Sequence, residues 1–256
     1  MKKGAEVPFG VLVRFRGAFY LLLSRAFSRE PDRETLDGLE RVSGGLMEAW
    51  EMMGLPSHPD VQAGKVLLRT FFSGLHQGDA DLMTEQLARE YASLFLGVGP
   101  KTVSLCESVY RSTSGLLYQP VLFEVRQSYR EAGMAKSGHY HEPDDHIAVE
   151  LGYMARLCEM TKEAAEADKE QALPLLGLQQ AFLEAHLLPW VSLFARHLIA
   201  AAPSGFYRAM AHLLKGYIGI DSGLIQSITQ GLNHKPKVKR GGRKQAVTGC
   251  RRTFRR

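Results

Sequence analysis

The sequence predicts an all-α protein: a single compact helical domain of about ten helices, with a mid-chain hinge loop and a basic C-terminal tail. Three observations carry this reading. Apolar residues recur at three- and four-residue intervals along most of the chain, Pro and Gly interrupt them between stretches, and the alternation expected of strands is almost absent. No internal repeat is found.

Val11, Phe15, Phe19, Leu22 and Ala26 share one helical face with arginines between them, which predicts an amphipathic helix over residues 10–28. Leu36, Leu39, Val42, Leu46 and Trp50 continue the pattern through a second helix ended by Gly54 and Pro56, with Gly44 and Gly45 weakening its middle. Pro59 and Asp60 open a third, which stops near Gly78; Asp79 or Asp81 then caps a fourth carrying Leu82, Leu87, Tyr91, Leu94 and Phe95. Residues 97–114 read as a long ordered connection, a length that is often functional. Pro120 suits the first turn of a helix with Val121, Leu122, Val125 and Tyr129. Residues 133–143 form the hinge. A central helix starting at Asp144 or Asp145 follows, then one or two helices over residues 168–202 with Pro174 and Pro189 as kink points, one from Ser204 through Tyr217, and a short last one from Asp221 to Leu232.

The net charge of +5 conceals two unlike parts. Residues 234–256 hold ten of the 32 Lys and Arg and no acid, so residues 1–233 carry 22 bases against 27 acids, a net of −5. The division expected is a helical domain over 1–233 and a solvated basic tail over 234–256. An acidic body attracts cationic partners. Cys106, Cys158 and Cys250 are odd in number and far apart, which argues against a disulfide framework and fits a reducing cytoplasm. Arg14, Arg16 and Arg25 interrupt every apolar stretch near the N-terminus that could serve as a secretion signal, and no run of about 18 uncharged apolar residues occurs, so membrane insertion is not expected.

The densest site chemistry lies at residues 142–157, EPDDHIAVELGYMARL, where Glu142, Asp144, Asp145, His146 and Glu150 gather around the mouth of the central helix. Two roles suit them: capping and offsetting the helix dipole, or receiving a cationic partner. His139, His141 and His146 beside these carboxylates also suit a metal-dependent hydrolase, the enzymatic rival, although Pro143 lies between His141 and His146 and they lack the spacing of two ligands on consecutive helical turns. There is no GxxxxGK[ST] phosphate loop, no GxGxxG after a strand and no GxSxG elbow. The basic tail suggests a nucleic-acid arm as a further alternative.

This stretch resembles the signature of the TorD/DmsD family of cytoplasmic chaperones, which mature molybdenum-containing redox enzymes before export. YASLFLGVGP at 91–100 leading to ESVY at 107–110, and HLLPW at 186–190 followed by Phe194, resemble the same family in the same order. The resemblance implies a cytoplasmic binding protein, not an enzyme, with no cofactor of its own. Its partners would be a twin-arginine signal peptide and the apo form of a molybdenum oxidoreductase, held until cofactor insertion; nucleic acid is not the expected partner. Members of the family can exchange halves between subunits, so the hinge allows a swapped homodimer. Paired guanidinium groups call for carboxylates and the apolar segment behind them for a groove. Glu142, Asp144, Asp145 and Glu107 are the expected acceptors, with His146 and Glu150 beside them. Tyr91, Phe95, Tyr110 and Trp190, with Leu94 and Leu151, are the expected groove, each also suited to plain core packing. In the tail, Arg251-Arg252-Thr253-Phe254 resembles the arginine core of such a signal, but no apolar segment follows; it is expected to compete with clients for the acidic site.

Overall fold

The computed structural model describes residues 7–97, 102–117 and 119–233. Among them the chain is helical without a named strand, as expected: α1 (Phe9–Ser28), α2 (Arg33–Met52), α3 (Pro59–Gln77), α4 (Ala80–Phe95), the short α5 (Glu107–Arg111), α6 (Pro120–Glu131), α7 (Ile147–Ala167), α8 (Ala172–Phe182), α9 (Val191–Ala201) and α10 (Gly205–Asn233). The tail readings for residues 234–256 lie outside the described residues.

Local signals set most boundaries. Asp32 accepts from the Thr35 amide at 2.8 Å to start α2, and Asp79 accepts from Asp81 and Leu82 to start α4. Pro59 and Pro120 occupy first turns. Gly54 and Gly133 close α2 and α6 in the left-handed region, at φ 60° and 69°, and the following amides of Leu55 and Met134 reach back to Trp50 and Tyr129.

Several expectations require correction. Val11, Val42 and Leu82 are exposed, so each apolar stripe is narrower than its periodicity suggests. Residues 97–114 contain α5. The central helix begins at Ile147, capped by His146 and not by Asp144 or Asp145. Residues 168–202 hold two helices joined by one wide π-helical turn at Leu183–Leu187, preceded by a 3-10 turn at Lys169–Gln171. Asp221 starts nothing: α10 runs through it for 29 residues.

The core lies where α1 packs along α7 and α10 along α3 and α9. Arg16, which the stripe places among solvent-facing arginines, is fully buried instead. Its guanidinium meets Asp221 through Nε and Nη2 at 2.7 and 2.8 Å and Gln179 through Nη1 at 2.6 Å, while the Tyr20 hydroxyl donates to the same carboxylate at 2.6 Å. One network thus ties α1, α8 and α10. The uninterrupted passage of α10 puts Asp221 there.

Helices α3 and α10 approach closely because each contributes a glycine. A Cβ on Gly216 would lie 2.7 Å from Val61 Cγ2 and 2.9 Å from the Val61 amide nitrogen, and one on Gly64 would lie 2.7 Å from Leu213 Cγ. Backbone cannot yield as a flexible side chain can. Gly216→Ala is therefore expected to destabilise the fold by about 1–3 kcal/mol despite alanine's better helix propensity. Gly219→Ala, whose nearest contact would be 3.8 Å, is the control that stays neutral or gains in urea titration.

Candidate functional site

The segment after α4 returns to the mouth of α7 and is fastened there by backbone alone. The Ile147 amide donates to the Leu105 carbonyl at 2.7 Å, and the Glu107 amide to that of Asp145 at 2.9 Å, an antiparallel bridge pairing Cys106 with His146. Between this bridge, the end of α4 and the close of the hinge lies an open groove of about 740 Å³, lined by Tyr91, Phe95, Leu96, Cys106, Val109, Tyr110, Leu117, His141, Glu142, His146, Leu193 and His197 among others.

Five of the expected site residues meet here: Tyr91, Phe95, Tyr110, Glu142 and His146. Tyr91 sits edge-on to Phe95 with centroids 4.9 Å apart, and its hydroxyl donates to the Phe27 carbonyl at 3.2 Å. Tyr110 donates to the Ser104 carbonyl at 2.9 Å and stacks on Trp190 at 5.3 Å. Trp190 is buried beneath it, so it supports the floor and does not line the groove.

The carboxylates depart from expectation. Asp145, Glu107 and Glu150 have no exposed surface, and Asp144 keeps 8 %. Each is engaged internally or sealed away, because burying a bare charge costs far more than a partnered one. The Asp144 carboxylate pairs with Arg126 Nε at 2.8 Å, and its carbonyl accepts from the Tyr129 hydroxyl. Asp145 Oδ2 accepts from the Ser108 amide at 2.9 Å. Glu107 pairs with Arg111 at 2.7 Å, and its second oxygen lies 3.2 Å from His186 Nδ1. Arg111 also donates to the Ala185 carbonyl at 2.9 Å, and the far ring nitrogen of His186 reaches Ser128 Oγ. Glu107, Asp145 and Glu150 thus form an internal hub that a ligand cannot touch in this conformation, which corrects the reading of Glu107 and Asp145 as direct guanidinium acceptors and of Glu150 as a peptide-binding residue beside them.

Glu150 has no cation, and neither of its oxygens has a hydrogen-bond partner of ordinary geometry. Burial first, then the adjacent Glu107, holds its carboxyl proton well above the usual carboxylate range, so it sits as a neutral acid. His146 is shifted the other way: burial, then the Lys136 charge, lowers it to about 4. Its Nδ1 therefore stays free to accept from the Ala148 amide at 3.1 Å and cap α7. Glu142 is exposed at the groove margin, its carbonyl held by the Lys136 ammonium, which also donates to the Tyr140 carbonyl.

The metal reading finds no support in this arrangement. His146 is committed as a cap, and among the described residues no three His, Cys, Asp or Glu side chains come together to hold a metal ion. Among them, too, no helix is long and apolar enough to cross a membrane. Sequence reasoning missed the buried place of Arg16 and took His186 only as the first residue of HLLPW, not as the partner of Glu107.

An all-α body with an aromatic groove above a sealed carboxyl hub defines a class of helical binding protein. Residues 58–196 match the family described as nitrate reductase delta subunit. The chain is 31 % identical over 212 residues to a chaperone protein TorD of Photobacterium profundum, covering 82 % of this chain and 94 % of that one. It is 26 % identical over 219 residues to a chaperone protein TorD of Shewanella oneidensis (82 % and 90 %), and 28 % over 220 residues to one of Shewanella pealeana (83 % and 90 %). The chain belongs to the TorD/DmsD family. Its relatives are named chaperones, and this chain is a chaperone of that family.

Proposed function

We propose that this chaperone acts in the cytoplasm on the apo form of a molybdenum-containing oxidoreductase, holding its twin-arginine signal peptide in the groove until cofactor insertion is complete. The observation that carries the reading is convergence: the separate stretches around Tyr91, Tyr110 and Glu142–His146, each resembling the family, line one open cavity of about 740 Å³. An aromatic and aliphatic lining suits a mildly apolar helical segment, and exposed Glu142 suits its charged end. Binding and release are the mechanism, with no bond made or broken by the protein. It needs no cofactor of its own.

Purification of the full chain from its native cell is expected to bring down one oxidoreductase precursor without its molybdenum cofactor, identified by mass spectrometry. A precursor whose paired arginines are replaced by alanine is expected to be lost from the eluate. Equal recovery of both forms would refute the proposed place of the signal peptide.

A further inference from the structure

A groove that takes guanidinium groups needs carboxylates that are reachable from solvent and unspent, and the motif carboxylates beneath it are neither. Glu142 meets both conditions, and so does one residue far away in the chain. Glu30 lies in the connection between α1 and α2, is exposed, and has no ion pair or hydrogen bond through its carboxylate; the neighbouring Arg29 pairs with Asp32 instead, at 3.8 Å.

Two hydrogen bonds fasten the end of α1, just before this connection, to the groove-lining Tyr91 and to Tyr140, two residues ahead of Glu142 as Ser28 is two ahead of Glu30. The Tyr91 hydroxyl donates to the Phe27 carbonyl at 3.2 Å, and the Tyr140 hydroxyl to that of Ser28 at 2.8 Å. Phe27 also meets Phe95 edge-on at 6.4 Å. Burial, then the charges of Glu142 and Glu30, push the Tyr91 phenol upward, in keeping with that placement. Lys136 donates to the Tyr140 and Glu142 carbonyls. The same groove carries an apolar lip, Leu96 and Leu117, both exposed and both lining it. Acid on one margin and exposed leucine on another complement a segment that pairs cationic with apolar residues.

We infer that Glu30 and Glu142 form the guanidinium-binding end of the groove, with Leu96 and Leu117 taking the apolar residues that follow the arginines. This rests on the peptide reading above and goes further by assigning the acceptors. Planar guanidinium binds a carboxylate through two parallel hydrogen bonds where an ammonium cannot, so the pair would distinguish arginine from lysine.

Calorimetric titration of the full chain tests it, with a synthetic peptide carrying two adjacent arginines before an apolar helical segment and the same peptide with two lysines. The unaltered chain is expected to prefer the arginine peptide. E30Q/E142Q, whose substitutions are both on the surface, is expected to keep the parent's circular dichroism, to bind that peptide at least about tenfold more weakly and to lose the preference over lysine. If the unaltered chain binds and the double variant loses less than that, the assignment of these two residues is overturned while the peptide reading stands. If the unaltered chain binds neither peptide, the peptide reading itself is overturned.

Discussion

Replacing Arg16 with alanine is expected to destabilise the protein by about 3–5 kcal/mol, the cost of leaving a fully buried partner charge uncompensated. Asp221 would lose both of its guanidinium bonds, at 2.7 and 2.8 Å, in a site closed to water. Gln179 would lose the donor to its side-chain oxygen at the same time. For a chain of this size that corresponds to a fall of roughly 6–20 °C in melting temperature. The pair itself need not be worth that much. Arg16→Met with Asp221→Leu removes both charges and is expected to recover most of the loss, because the desolvation cost disappears with the attraction. Thermal melts followed by circular dichroism decide it, and a single variant melting within 2 °C of the parent would contradict the account.

Acid is expected to loosen the mouth of α7 through His146. Its folded-state pKa of about 4 lies below the ordinary value near 6.5, so as pH falls the unfolded chain takes up the proton first. The stabilisation is whole above about pH 6.5 and is lost on the way down to about pH 4, roughly 3 kcal/mol in all. Glu150 has the opposite sign. Its raised carboxyl favours the fold at low pH and penalises it as pH rises, so a single chain's pH profile mixes the two. His146→Asn separates them: asparagine retains a capping acceptor with no proton to gain. Urea midpoints at pH 7 and pH 4.5 should show the parent losing about 2–3 kcal/mol more than His146→Asn over that interval. Equal losses would show that His146 is not the titrating group.

The helices were legible because their boundaries are written locally. Asp32, Asp79, Pro59 and Pro120 act within a turn of where they stand, and the stripes around them need only one consistent neighbour. Asp221 was misread by the same logic. An aspartate after a break in the stripe looks like a cap until Arg16, 205 residues away, is placed beside it. The groove was legible as a place, since Tyr91, Phe95, Tyr110, Glu142 and His146 do converge. The roles of its carboxylates were not. Whether an acid faces water or the interior depends on who meets it: Arg126 and the Ser108 amide reach Asp144 and Asp145 through folding geometry, and Arg111 meets Glu107 one turn away in α5, a helix within the stretch whose sequence reads as a connection. Glu30 carried no signal at all, being a lone acid in a polar connection. His186 was legible only as part of HLLPW; its place beside Glu107 follows a departure in helical winding that periodicity does not record.

That departure has its own consequence. The wide turn at Leu183–Leu187, closed by the Leu188 amide on the Leu183 carbonyl at 2.9 Å, holds one residue more than ordinary winding would allow. One residue advances a helix by roughly 100°, so everything downstream is swung round relative to α8. Trp190 and Phe194 arrive under Tyr110 by virtue of that offset. A chain shortened by one position there would keep its composition and its helical content while aiming its platform elsewhere, which makes spacing, more than any individual side chain, the property this part of the molecule has to keep.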